Sequence, residues 1–330
     1  MPGLLDPITI RGLTLRNRIV LPPMNTRASP PDGSVTDKHV AHYAARARAG
    51  VALIVVEHAY VSRQGRYRAT QLGACDDALV PGLRRLVDEV HAAGAAICLQ
   101  LNHAGAKAIV EAAGERPAGP SDVSPPGDRR EPRPLTKVEI VAIVRDFGEA
   151  ARRAVAAGFD GVEVHGAHGY LLSQFASPLT NRRRDEYGGD LRGRFRLPLA
   201  VVREVRSRLP AAMPLLYRLG ADDLLAGGLA PAEACQVAPH LLAAGVDVID
   251  VSGGLGGAGS DVFTQQGFFV PLAHRIKEAS GAVVIGVGNI RDPLYADRVV
   301  REGLIDLVAV GRAQLEDAEW AAKAARALKG

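Results

Sequence analysis

Cysteine is scarce. The three thiols, at positions 75, 98 and 235, share no CxxC spacing. They cannot assemble a zinc site or an iron–sulfur cluster, and they read as buried thiols of a reducing cytoplasm. No uninterrupted apolar run approaches the roughly 18 residues of a membrane-spanning helix. The opening MPGLLDPITIRG has neither a basic stretch nor an apolar one, so no signal peptide is expected. Aromatic residues make up 5% of the chain and the net charge is only +4. Without a basic run interleaved with aromatics, a nucleic-acid partner is not expected.

Hydrophobic residues reach 47% and charged residues 23% of the 330, the balance of a soluble enzyme with a large core. Short β-branched runs alternate with stretches of helical periodicity. Strands are predicted over 18–22, 52–56, 96–101, 161–164, 214–219, 247–251, 283–285 and 307–310. Helices are predicted over 37–49, 79–93, 136–157, 191–208, 231–244, 270–279, 293–301 and 318–328. Gly50, Gly94, Gly158, Gly245 and Gly303 close five of these helices. Eight βα units in succession predict an α/β fold with a closed parallel barrel, and a doubly wound open sheet is the alternative. Ile8-Thr9-Ile10 and Leu13-Thr14-Leu15 flank Arg11-Gly12 and read as a hairpin plugging the barrel floor. Residues 115–134, rich in Pro, Gly and Ser, read as a long excursion from the third βα connection.

In a barrel of this kind chemistry collects at the C-terminal strand ends. Those ends carry Pro22-Pro23-Met24-Asn25, Glu57-His58, Gln100 through His103, His165 through Tyr170, Arg218, Ser252, Gly286 through Asn289, and Gly311-Arg312. Glycines after the last two strands let backbone N–H groups approach a phosphate, and Arg312 supplies a forked cation. Gln100 offers a donor and an acceptor to the edge of a pyrimidine-like ring, and Arg218 can stabilise charge on it. Each residue also has a plainer reading. Gly286 and Gly288 can simply turn the chain, His103 can be a core histidine, and Tyr170 can be packing. Residues 182–184, all arginine, read as a solvated or inter-subunit surface. His165 and His168 lack a third metal ligand. The run GLGGAG at 254–259 fits a dinucleotide fingerprint but opens no helix and meets no acid at the next strand end, so it reads as a flexible loop over the mouth.

Taken together, NRIVLPPM (17–24), TDKHVAHYAARA (36–47), LQLNHAGAKA (99–108), the block 157–194 containing HGAHGYLLSQFASPLTNRRRDEYGG, GVDVIDVSGG (245–254) and AVGRAQL (309–315) resemble the old yellow enzyme family. The resemblance implies a single (β/α)₈ TIM-barrel domain over residues 1–330 that binds FMN at its C-terminal mouth. By position, Pro23, Met24 and Asn25 line the flavin edge with His58 beside it. Gln100 meets the pyrimidine side and Arg218 sits near N1. Gly288, Gly311 and Arg312 hold the phosphate. His165 and His168 grip the substrate's carbonyl oxygen, and Tyr170 donates a proton.

The sequence departs from the family pattern at Asn25, where Thr or Cys is frequent, at His58, where Ala or Gly is common, and at Arg27 and Ala106. It also resembles the barrel half of 2,4-dienoyl-CoA reductases, without their iron–sulfur segment and nucleotide domain. The implied reaction is reduction of the C=C bond of a small enone by NADH or NADPH through FMN, in a cytoplasmic enzyme that could be homo-oligomeric. The alternatives are an FMN enzyme of the same fold that oxidises an amine or a saturated ring, and a barrel that binds flavin without catalysis.

Overall fold

The computed structural model describes residues 2–256 and 261–330. Eight parallel strands close into a barrel: β1 (Ile19–Leu21), β2 (Leu53–Tyr60), β3 (Ala96–Asn102), β4 (Gly161–Gly166), β5 (Leu215–Gly220), β6 (Val248–Ser252), β7 (Val283–Gly286) and β8 (Leu307–Ala309). Each pairs with the next in sequence. The pairs Val308↔Ile19 and Ala309↔Val20 join β8 to β1, which rules out the open sheet. The surrounding helices are α1 (Asp37–Arg48), α2 (Val80–Ala92), α3 (Lys137–Ala157), α4 (Arg196–Arg208), α5 (Pro231–Ala243), α6 (Val270–Ser280), α7 (Pro293–Arg301) and α8 (Trp320–Lys329).

α3 shows why such segments form. Thr136 and Glu139 cap its start reciprocally, with Glu139 N donating to Thr136 Oγ1 (3.2 Å) and Thr136 N to Glu139 Oε2 (2.8 Å). Ile140, Ile143, Phe147, Ala150, Ala151 and Ala154 recur at helical spacing and are buried. Gly158 ends it in the left-handed region (φ 90°), as the other four predicted helix-closing glycines do in their turns.

Strand alternation sorts the side chains. Leu99 and Leu101, Val162 and Val164, Tyr217 and Leu219, and Ile249 and Val251 point outward beneath the helices. The inward series begins apolar at the floor, where Cys98, Leu216 and Val248 join Val20, Leu53, Val55, Ile285 and Leu307. The predicted hairpin is present, pairing Ile8↔Leu15 and Ile10↔Leu13, and Ile10 and Leu15 complete this floor cluster. One inward step toward the mouth, the residues turn polar: Gln100, Glu163, Arg218 and Asp250, all buried.

Several expectations need correction. β2 runs to Tyr60 rather than stopping at Val56, and its register against β3 shifts between Val56 and Ala59. The predicted 191–208 helix breaks at Phe195, whose ψ of 2° interrupts it, leaving a short turn at Leu191–Arg194 ahead of α4. Cys98 is buried, but Cys75 and Cys235 are only half-buried. Arg183 is no solvated residue: it donates to Pro120 O (3.1 Å) and Leu135 O (2.7 Å) and forks onto Asp185, so it staples down the 115–134 excursion. That excursion is further held by a two-residue parallel pairing of Ala118–Gly119 with Arg133–Pro134. Of the run 254–259, residues 257–259 lie outside the described residues. No described helix is long and apolar enough to cross a membrane.

Candidate active site

β4 delivers His165 to the mouth, and the chain then turns sharply. His168 adopts φ 60° and Gly169 φ 70°, a left-handed turn that non-glycine residues such as His168 enter at a cost. Lys107 Nζ donates to His168 O (2.8 Å) and Leu255 O (3.3 Å), which holds the turn in place. The turn sets the His165 and His168 rings 5.1 Å apart, centroid to centroid, with the Tyr170 ring also 5.1 Å from His165. His165 Nδ1 accepts the Ala167 N–H (3.3 Å), so the proton of its neutral ring sits on Nε2. His168 Nε2 contacts Ser252 Oγ at 2.7 Å. Burial depresses both histidine pKa values far below the usual 6.5, with Arg218 and Lys107 adding to the effect. Burial also raises the Tyr170 hydroxyl above 10, so it stays protonated at neutral pH.

Beneath these rings lie two buried polar pairs. Gln100 Nε2 donates to Glu163 Oε1 (2.8 Å), and Arg218 Nε lies 3.5 Å from Asp250 Oδ2. Glu163 Oε2 and Asp250 Oδ1 are buried with no donor while both carboxyls are ionised. Burial raises both pKa values, Glu163 strongly, and Arg218 counteracts the rise at Asp250. Burial and the neighbouring Asp250 carboxyl thus favour the protonated form of Glu163.

Beside the rings opens a cavity of about 320 Å³. Pro22, Met24, His168, Arg218, Ser252, Gly288, Gly311 and Arg312 are among its lining residues. Gly288 has φ 130°, and a Cβ there would sit 2.8 Å from Phe268 N, so no side chain is tolerated. Arg312 begins a short helix (Arg312–Glu316) and donates to Phe263 O (2.9 Å).

The sequence profile of the NADH:flavin oxidoreductase / NADH oxidase family matches residues 3–330. The chain belongs to this family. It is 42% identical over 331 residues to an NADH oxidase of Thermoanaerobacter brockii, covering 98% of this chain and 50% of that protein. It is 38% identical over 322 residues to an NADPH dehydrogenase of Clostridium acetobutylicum, covering 97% and 94%. It thus spans half the length of the first relative and nearly all of the second. Among solved structures, morphinone reductase superposes with a TM-score of 0.86 at 29% identity, covering 99% of this chain and 90% of that one. Histamine dehydrogenase from Rhizobium sp. 4-9 superposes with a TM-score of 0.87 at 27% identity, covering 98% and 48%. The old yellow enzyme family so identified is one of FMN-dependent oxidoreductases that use NADH or NADPH.

Of the residues singled out from the sequence of this family member, Met24, His168, Arg218, Gly288, Gly311 and Arg312 meet around the cavity. His165 and Tyr170 adjoin it, and His58 stacks 5.2 Å from the Tyr170 ring. Gln100 lies below, tied to Glu163. Pro22 lines the cavity in place of the expected Pro23, and Asn25 turns toward His58 instead. His103 is buried against Gly65, where its Nδ1 accepts the Gly105 N–H (3.0 Å) and its Nε2 has no hydrogen-bond partner among the described residues. Sequence reasoning missed Lys107, Gln71 and the Glu163–Asp250 pair. Only the last left a signal: lone acids inside the apolar strands GVEVHG and VIDVS.

Proposed function

We propose that this mouth holds FMN and that the protein reduces the C=C bond of an α,β-unsaturated carbonyl compound with NADH or NADPH as hydride source. The residues present suit that cofactor. Gly288, Gly311 and Arg312 offer a close backbone approach and a guanidinium to a phosphate. Met24 faces the cavity, and Gln100 and Arg218 provide polar groups for the ring from below. FMN, when bound, supplies hydride to the substrate.

The chain's own residues do the rest. His165 Nε2–H is a fixed neutral donor, and His168, a ring away, completes a pair aimed at one carbonyl oxygen. As the β-carbon gains hydride, negative charge builds on that oxygen, and each such donor stabilises it by roughly 3 kcal/mol. Tyr170 O–H protonates the α-carbon, so one hydride and one proton complete the saturated product. Its raised pKa keeps the proton in place until the carbanion-like carbon forms. The single observation that carries this reading is the His165 ring set 5.1 Å from both His168 and Tyr170, on a turn held by Lys107 beside the cavity.

A second reading, oxidation of an amine, is supported by the likeness to histamine dehydrogenase. Anaerobic titration separates the two. Under the first reading NADPH bleaches the flavin band and cyclohexenone restores it. An N-methyl amine that bleaches the band, with no response to enones, would favour the second. A bound flavin reduced by neither nicotinamide nor amine would favour a non-catalytic barrel.

A further inference from the structure

The register shift in β2 places two residues, Glu57 and His58, opposite the single Gln100 of β3. Glu57 turns outward to His39 Nε2 (2.8 Å) and Thr26 Oγ1 (2.6 Å), and His58 is left facing the mouth, almost fully buried. The protonation of its ring follows from groups whose roles cannot change. The Tyr67 backbone N–H can only donate, and it points at Gln71 Oε1 (2.7 Å). The Gln71 amide therefore presents its NH₂ to His58. One hydrogen goes to the His58 carbonyl (2.9 Å) and the other to His58 Nδ1 (2.8 Å). Asn102 Nδ2 lies 3.2 Å from the same nitrogen. Nδ1 is thus a bare acceptor, and burial drives the ring pKa down to about 4, so the neutral ring carries its proton on Nε2.

The other side is equally constrained. The Arg27 backbone N–H donates to Asn25 Oδ1 (2.9 Å), which turns Asn25 Nδ2 toward His58 Nε2 at 3.4 Å. Both nitrogens are donors, so this contact is no hydrogen bond, and neither has an acceptor among the described residues. His58 Nε2 is moreover shut in by the Tyr170, His165 and Tyr67 rings, at 5.2, 6.3 and 6.4 Å between centroids.

We propose that His58 Nε2–H and Asn25 Nδ2–H form a two-donor clamp for one sp² oxygen or nitrogen of a ring bound at the mouth, with Gln71 as the positioning residue that fixes the His58 tautomer. The inference rests on the mouth being the ligand site proposed above. The acceptor has two sources, the carbonyl edge of FMN or the carbonyl or phenolate oxygen of a substrate-site ligand. An Ala or Gly at position 58 would offer no such donor.

The test is ¹⁵N NMR of the full chain labelled at histidine, as apoprotein, then with FMN, then with FMN and p-cresol. In the apoprotein His58 Nδ1 should resonate as a pyridine-type and Nε2 as a pyrrole-type nitrogen from pH 8 to pH 5.5. A shift of Nε2 on FMN addition assigns the acceptor to the flavin, and a shift only on p-cresol addition assigns it to the substrate-site ligand. Gln71→Glu should draw the ring proton to Nδ1 and remove either shift. His58→Phe should weaken the identified ligand about 2- to 12-fold, the span of one neutral hydrogen bond, and His58→Gln, which keeps an N–H, should recover part of it. A proton on Nδ1 in the unmodified apoprotein, or an Nε2 signal unmoved by both ligands in a protein that takes up FMN, would overturn the clamp. Failure to take up FMN at all would overturn the flavin site itself, and the two failures are distinguishable by the absorbance spectrum alone.

Discussion

At the floor of the barrel, Ile10 and Leu15 of the hairpin press against Val20, Leu53, Cys98, Leu216, Val248 and Leu307. The one buried cation beside them, Arg18, donates to Asp306 O (2.9 Å) and Pro7 O (3.3 Å), with only its Nε unpaired among the described residues there. At the mouth, on the same strands a few residues further on, Asn102 Oδ1 and Arg218 Nε are buried without hydrogen-bond partners, and His58 and Asn25 face each other with donors only. The backbone is the same at both ends, and the side chains are placed by the same alternation. The floor is almost wholly apolar, and its burial contributes stability. The mouth carries polar groups, some of them buried without partners, that under the proposed function a bound ligand would satisfy. Stability and function are therefore separable by position along each strand.

The sharpest way to break this separation is to disarm the mouth. Replacing both His165 and His168 with Ala should slow enone reduction by more than the roughly 10²-fold expected from either single change. The long-wavelength band of a bound phenolate should vanish while FMN remains bound. A surviving band would place the substrate oxygen elsewhere.

The converse change at the floor is Leu15→Ala. Leu15 is 1% exposed, and truncating it should cost about 2–5 kcal/mol in urea unfolding with no change in FMN affinity per folded molecule. A matching loss of flavin affinity would show that the floor and the mouth are coupled.

Arg312→Ala should weaken FMN by about 1.5–3 kcal/mol, the worth of a charge-assisted bond, and riboflavin far less, because only FMN carries the phosphate. Equal losses by fluorescence titration would move Arg312 away from that group.

A last comparison concerns pH. Burial lowers His58 to about 4 and His103 to about 3, and pushes His165 and His168 down as well, all from an ordinary 6.5. Below pH 6.5 the unfolded chain binds protons that the folded chain refuses, so stability should fall as pH drops toward 4, by at most about 1.4 kcal/mol per pH unit per histidine. Asp223, raised by burial to about 6, opposes this, because it holds a proton in the folded state that its unfolded form releases above 3.8. Removing one buried histidine with His103→Leu should flatten the pH dependence of urea unfolding, whereas Leu15→Ala should lower the whole curve evenly. An unchanged slope in His103→Leu would contradict the assignment of that ring as neutral.

How much of this was legible in the sequence follows from the same contrast. Period-two and helical patterns locate the strands and helices because each element has one apolar face to bury, and the hairpin plug reads directly from its alternating ITI and LTL. The residues at strand ends could be nominated because polar side chains there break an apolar pattern. The β2 bulge was not legible, since LIVVEHAY carries no mark of where its register against β3 slips. Nor was the role of Gln71, which reaches back to His58 from 13 positions further along the chain, or that of Lys107, which clasps carbonyls 61 and 148 residues away. Such contacts depend on loop paths, and local pattern does not encode them. Phe195 broke a predicted helix for a similar reason: the buried Arg194 beside it is fixed by Ala176 O and Glu233, partners distant in sequence.

The central claim is that Tyr170 acts as the acid in the second half-reaction, and stopped-flow measurement of the two half-reactions in Tyr170→Phe tests it most directly. The substitution keeps the ring and removes only the hydroxyl. Reduction of the flavin by NADH or NADPH should proceed at nearly the unmodified rate, because that step needs no proton from the protein. Reoxidation by a simple enone should slow by roughly 10²- to 10⁴-fold. Reoxidation by a nitroalkene should be spared, because its nitronate product is stable without protonation at carbon. Equal slowing of both half-reactions, or no slowing with the enone, would contradict the account and leave Tyr170 a packing residue.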